Sequence, residues 1–374
     1  MKHPLIVIIA IVFCLIVTPT VGGIYKWKDE NGKVHFSDSP PPVNEKTVLE
    51  VSGSTDGLYH PDNYPDWRVL RKNLDNLNFA ELDEFIAYRQ KAFEQNPLRE
   101  EGILRTMMFF STLSEKYRHS LNKWIKLNPN SFIPYLALGM FESGLGQKAR
   151  GKNYINSTPL YKLERMDQYF ERSINYFNKA LSINSKLISA HVAMINIHGY
   201  MGNKDKMRSA LRKAISVYKY SMHARATYII FLDKRWGGSF KDIEQFAEAS
   251  QKYAKYNPHI RWLKGYLPLY QALHKCQGSR GWKCKDVDYL DKALKYGDNP
   301  AVLFTRAKAL IELQDYNSAL GDLNRLLVRY PLFADALALR SSIWKRKGQL
   351  TLAGKDRALA LDVDPNNKIV KFYR

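Results

Sequence analysis

Residues 234–239 read Lys-Arg-Trp-Gly-Gly-Ser and form the sharpest cluster of chemistry-bearing side chains in the chain. Arg235 beside Trp236 can stack on a ring or fork onto a carboxylate. Gly237 and Gly238 allow unusual backbone angles or the close approach of another segment. Ala149-Arg150-Gly151 sets a second guanidinium beside a glycine. Arg235, Trp236, Gly237, Gly238, Arg150 and Gly151 are therefore candidate binding residues, with Asp242 the carboxylate nearest in sequence. Bond-making chemistry needs more than this. No nucleophile–base pair stands out, and no HExxH, GxSxG or CxxC motif is present. Gly146 to Asn153 has the spacing of a phosphate-binding loop, but Asn153 stands where Ser or Thr must hold the metal, and no strand leads into it. His191 and His198 are seven apart and can share a helix face, too few for a metal site without further ligands. The residues imply a protein that binds without turnover, with no catalytic residue, no metal and no cofactor.

Cys276 and Cys284 stand eight apart across a glycine-rich loop, CQGSRGWKC. They are placed to close a disulfide in an oxidising compartment, or to remain free thiols in a reducing one. The N-terminus bears on the compartment. Lys2 and His3 precede an apolar run from Leu5 to Val17, then Thr18-Pro19-Thr20-Val21-Gly22-Gly23. A basic start, a short apolar stretch and a small-residue exit have the layout of a secretory signal peptide. A membrane-spanning helix wants about 20 apolar residues, so a retained inner-membrane anchor is the second reading. The chain carries 57 Lys and Arg against 36 Asp and Glu, a formal charge of +21. So basic a surface attracts acidic partners, and export turns that attraction toward acidic proteins or peptides, anionic membrane or glycan, and away from nucleic acid. With 45% hydrophobic and 25% charged residues, the chain is not intrinsically disordered.

Residues 22–42, GGIYKWKDENGKVHFSDSPPP, follow the leader. Asn31-Gly32 supplies the positive φ angles of a tight hairpin turn. Alternation puts Tyr25 and Trp27 on one face of the first strand, and Val34 and Phe36 on one face of the second. A lone hairpin is marginal in water, so Tyr25, Trp27 and Phe36 must dock on the rest of the chain or bind something else. The run I-Y-K-W-x-D-E-N-G-x-V-H-F-S-D-x-P-P resembles a small domain found at the start of exported proteins of Gram-negative bacteria, domain of unknown function family forty-one twenty-four. That resemblance implies a periplasmic location and brings no chemistry.

From Trp67 onward the apolar spacing is helical, punctuated by Asn96-Pro97, Asn128-Pro129, Asn257-Pro258, Asn299-Pro300, Tyr330-Pro331 and Asp364-Pro365. Proline disfavours helix in the residue before it, so each pair ends a helical run. Strand patterns are absent from this part. Ala319 and Ala353 are 34 apart, as are Pro331 and Pro365, and Ala180 and Ala214. This period predicts units at 300–333 and 334–367, a second pair at 154–187 and 188–221, and enlarged hairpins between them. The pattern resembles the tetratricopeptide repeat, whose small crossing residues fall on Ala180, Ala214, Ala307, Ala319, Ala353 and Ala360. Leu303 and Leu337 replace its first-helix Trp. Residues 79–270, including Ala149-Arg150-Gly151 and Arg235-Trp236-Gly237-Gly238-Ser239, also resemble the helical family of domain of unknown function forty thirty-four.

The expected fold is mainly α, a tetratricopeptide-like helical-hairpin solenoid preceded by a small N-terminal β-hairpin domain. The expected divisions are a leader at 1–23, the hairpin domain at 24–43, a linker at 44–66, degenerate helical hairpins at 67–153, repeats with enlarged loops at 154–299, and C-terminal repeats at 300–374. The expected function is a non-enzymatic scaffold in the Gram-negative periplasm that holds a protein or peptide on its concave face. A glycan- or lipid-binding envelope factor is the alternative, and an enzyme acting on envelope polymers through Arg150, Arg235, Trp236 and Asp242 comes after it.

Overall fold

The computed structural model describes residues 25–28, 34–37, 65–151, 155–278, 281–282 and 287–372. The leader and Cys284 lie outside them. Two strands, β1 (Tyr25–Lys28) and β2 (Val34–Ser37), pair antiparallel with Tyr25 opposite Ser37 and Lys28 opposite Val34. The side-chain surroundings of Tyr25, Trp27 and Phe36 also fall outside the described residues.

Seventeen helices follow among the described residues. The first five are α1 (Trp67–Asp75), α2 (Phe79–Gln95), α3 (Glu100–Thr112), α4 (Arg118–Leu127) and α5 (Phe132–Arg150). The middle of the chain holds α6 (Leu160–Ile183), α7 (Ile188–Tyr200), α8 (Lys204–Val217), α9 (Met222–Ile230), α10 (Phe240–Ser250), α11 (Tyr266–Lys275) and α12 (Asp288–Leu294). The last five are α13 (Pro300–Glu312), α14 (Tyr316–Arg329), α15 (Ala334–Arg346), α16 (Leu350–Val363) and α17 (Lys368–Phe372). Helix ends follow local chemistry. Ser131, Asn203, Ser221, Asn299 and Asp315 each accept a backbone N–H in the first turn they precede, satisfying a donor the helix leaves open. Asn96 and Asn257, each before a proline, are extended, with φ near −139° and −138°.

The 34-residue register holds in α7–α8, α13–α14 and α15–α16. Ala180, Ala214, Ala307, Ala319, Ala353 and Ala360 are buried where helices cross. Residues 154–187 depart from it, because α6 is one 24-residue helix and not a hairpin. No Gly or Pro interrupts Leu160 to Ile183, so nothing makes the chain turn, and α6 instead pairs lengthwise with α5. That hairpin straddles the boundary expected at 153–154. A second departure lies in the Cys loop, where β3 (Gln277–Gly278) pairs with β4 (Gly281–Trp282). Cys276 is buried and disulfide-bonded.

The row of hairpins curls until its ends meet. The Arg68 guanidinium lies 2.6 Å from the Asp362 carboxylate of α16, and Arg71 donates to the Val363 carbonyl at 3.0 Å. Helix α3 enters the interior, packing on α5 and α7. Its Glu100 accepts from the Ser221 hydroxyl at 2.6 Å and from the Met222 and His223 amides at the start of α9. Its Glu101 accepts from the Tyr330 hydroxyl at 3.1 Å, and Arg105 lies 4.1 Å over that ring. Every residue of α9, and nearly every residue of α7 and of α3 up to Phe110, is buried. Where the inner face of this turn was expected to offer a groove for a partner, α3 is seated against α5, α7 and the start of α9.

Candidate functional site

The 234–239 segment joins α9 to α10 through a tight 3₁₀ turn, Lys234–Trp236. Asp233 starts that turn. Its carbonyl accepts from the Trp236 and Gly238 amides, and its carboxylate from the Arg235 amide. Gly237 adopts φ 76° and ψ 23°, the left-handed region that side chains disfavour. A Cβ on Gly238 would stand 2.1 Å from the Leu232 carbonyl oxygen. Each glycine thus answers a distinct steric demand, one of backbone angle and one of space.

The Asp233 side chain is fully buried and forms the hub of the junction. Arg235 Nε donates to Oδ1 at 2.5 Å, and His274 Nε2 of α11 lies 2.7 Å from Oδ2. Burial by itself would push the carboxyl up, but the Arg235 charge and the hydrogen bonds from Arg235 and His274 outweigh it and hold the carboxyl low. The Arg235 guanidinium also lies 5.3 Å from the Tyr270 ring. Trp236 is seated edge-on to Tyr200 at 5.2 Å and to Phe231 at 5.0 Å. Arg150, the last residue of α5, reaches the same place, 5.1 Å from the Trp236 ring and 5.9 Å from Tyr200. Burial lowers the pKa of the Arg150 guanidinium.

The structure therefore brings Arg150, Arg235 and Trp236 to one junction, although Arg150 and Trp236 are 86 positions apart in sequence. Gly151, with φ 70°, ends α5 beside it. Asp242 is not part of the cluster. It is exposed and accepts from the Ser239 hydroxyl at 2.7 Å, while Ser239 caps α10. The carboxylate that matters is Asp233. Its position two before Arg235, with a side chain able to cap a turn, was the available signal. Tyr200, Tyr270 and His274 had none, because they arrive from α7 and α11, helices separate from the turn itself. Among the described residues no hydroxyl or thiol is hydrogen-bonded to His274.

The other candidates resolve simply. Gly146 to Arg150 is helical, with Gly146 against the Phe170 ring, so its amides do not form a loop for phosphate. His191 and His198 lie on α7, and burial with Lys213 and Lys206 nearby lowers both pKa values. No group of three or more metal-ligating side chains exists among the described residues, and no described helix is long and apolar enough to cross a membrane.

Residues 11–57 match the family model described as "Domain of unknown function (DUF4124)". No curated protein matches. Among solved structures, the APC/C hetero-tetramer Cut9–Hcn1 is 14% identical with a TM-score of 0.35, and the match covers 78% of this chain and 51% of that one. YrrB, "a TPR protein with an unusual peptide-binding site", is 15% identical at a TM-score of 0.24, covering 67% of this chain and 96% of that one. PilW, a "widely conserved type IV pilus biogenesis factor", is 17% identical at 0.33, covering 63% and 97%. The paired helices and their 34-residue register make the fold a tetratricopeptide-like helical solenoid.

Proposed function

We propose that the chain is a non-enzymatic helical-repeat scaffold in the envelope of a Gram-negative bacterium, holding a protein or peptide partner on its outer surface. The use of its buried charges carries this reading. Asp233, Glu100 and Glu101 each hold one helix end or turn to another, Asp233 through Arg235 and His274, Glu100 through the Ser221 hydroxyl and Glu101 through the Tyr330 hydroxyl. With α3 seated in the interior, partner capture is assigned to the outer faces, where the +21 charge favours acidic surfaces. The leader at 1–23 supports export.

Crosslinking intact cells that express the tagged protein tests this. One dominant protein partner is expected, and its capture should weaken with added salt. Retention of glycan or lipid with no protein would sink the scaffold reading. Cell fractionation and the mass of the mature N-terminus test export against a retained anchor.

A second reading gives the Arg235–Trp236 junction a ligand. The Arg235 side chain is 6% exposed, and its two terminal nitrogens and the Trp236 indole nitrogen are buried without a protein acceptor. An acceptor-rich envelope glycan or lipid headgroup would answer these donors, and mass spectrometry of the purified protein before and after Arg235→Lys would detect it.

A further inference from the structure

The turn from α8 into α9 lies against the segment after α10, and the two make one outward patch. Tyr220 stacks on Tyr256 at 4.4 Å with rings 19° from parallel, and it lies 6.0 Å from Tyr253 and 6.1 Å from Tyr218. Lys219, Lys252 and Lys255 are exposed, and their ammonium groups stand 6.0, 5.3 and 4.8 Å from the rings of Tyr220, Tyr253 and Tyr256. Tyr256 is 49% exposed. Neither residues 217–221 nor residues 251–258 include an acidic residue.

The patch is held from beneath. Buried Arg225 donates to the carbonyls of Lys219 at 2.9 Å and Ser221 at 2.8 Å while lying 4.7 Å from the Tyr253 ring. Asn257 Nδ2 donates to the carbonyl between them, that of Tyr220, at 2.8 Å. Three successive carbonyls are thereby pinned, so little ordering remains to be done on binding.

We propose that this surface docks an acidic peptide segment with an aromatic or apolar anchor, the segment belonging to the partner inferred above. A half-exposed tyrosine, Tyr256, stacked on a rigid base is a typical binding anchor, and lysines on two segments that carry no carboxylate favour negative charge. A glycan is disfavoured, because gripping sugar hydroxyls wants side-chain amides or carboxylates. The one side-chain amide in these segments besides Gln251 is Asn257, and it is held by Tyr220 and the His259 amide. Gln251 bonds inward to Ala247 and Ile260.

The test titrates a fluorescent peptide of alternating Glu and Phe into the full-length mature protein, with polymannuronate as a competing acidic glycan. Lys252→Glu/Lys255→Glu should weaken peptide binding at least tenfold and flatten its salt dependence. Lys241→Glu/Lys355→Glu, which makes the same charge change at exposed sites on α10 and α16, should leave it within twofold. Tyr256→Ala should weaken it about tenfold with the salt dependence kept. No saturable peptide binding, equal loss in both charge-reversed proteins, or displacement by polymannuronate at lower concentration overturns the proposal. Such an overturn leaves the scaffold reading standing if the in-cell partner is still captured by Lys252→Glu/Lys255→Glu. Absence of any in-cell partner would remove that reading whatever this peptide does.

Discussion

Glu100 shows how much of this structure hangs on single side chains. Its carboxylate, 2% exposed, gathers a hydroxyl and two backbone amides at the start of α9, 121 to 123 positions away. Removing it strands those donors inside the protein, so Glu100→Ala should cost about 3–5 kcal/mol. Glu100→Gln keeps one acceptor and should cost less than half as much, and urea unfolding midpoints compare the two. Gly238→Ala sets a methyl 2.1 Å from a backbone oxygen and should cost about 2 kcal/mol or more. Circular dichroism melts of that protein would show no loss if the loop is free to shift. At this scale sequence reading found the glycines and both arginines, because unusual residue types announce themselves. It passed over Asp233 and Glu100, because ordinary acids look the same whether solvated or buried.

Among the elements, α7 makes a prediction about pH. Its His191 and His198 have lowered pKa values, chiefly through burial and then through Lys213 and Lys206 on α8. The folded state prefers both rings neutral, while the unfolded chain takes up protons near pH 6.5. Stability from this source is therefore full above about pH 7 and is lost as pH falls through 6.5 toward the folded values. His191→Asn/His198→Asn should flatten that fall between pH 7.5 and 5.5, read from urea midpoints at each pH. An unchanged slope would mean that other groups govern it. The C-terminal units carry a further repeat-phased device. Arg306 clamps Asp322 and Arg340 clamps Asp356, each across 16 positions and the two clamps 34 apart. The 34-residue spacing of the alanines is shared by this pair and was legible in the sequence, whereas the 24-residue α6 was hidden because a period in alanines does not say where a helix must turn.

For the whole molecule, the meeting of α1 with α16 changes what repeat architecture implies. An open solenoid tends to unfold in stages, since each unit touches only its neighbours. Here Glu101 reaches Tyr330 and Arg68 reaches Asp362. Urea unfolding followed by circular dichroism and by tryptophan fluorescence should give coincident transitions, and separated midpoints would show that the closure is energetically idle. The Arg68–Asp362 pair is exposed, so Arg68→Ala/Arg71→Ala should cost only about 1 kcal/mol. It should nonetheless speed amide exchange in α1 and α16 together, and faster exchange in α1 alone would argue against a shared seam. Closure was illegible in the sequence, because a period records neighbours along the chain and says nothing about curvature accumulated over many units.

The same seam sets an order of events during synthesis. Helices α1 to α3 leave the ribosome first, yet Tyr330 and Asp362, which hold two of them, are made more than 200 residues later. Until then the Glu101 carboxylate and the apolar flanks of α3 have only part of their eventual surroundings. A nascent chain stopped before α14 should therefore hold its middle hairpins while its oldest helices remain open to protease.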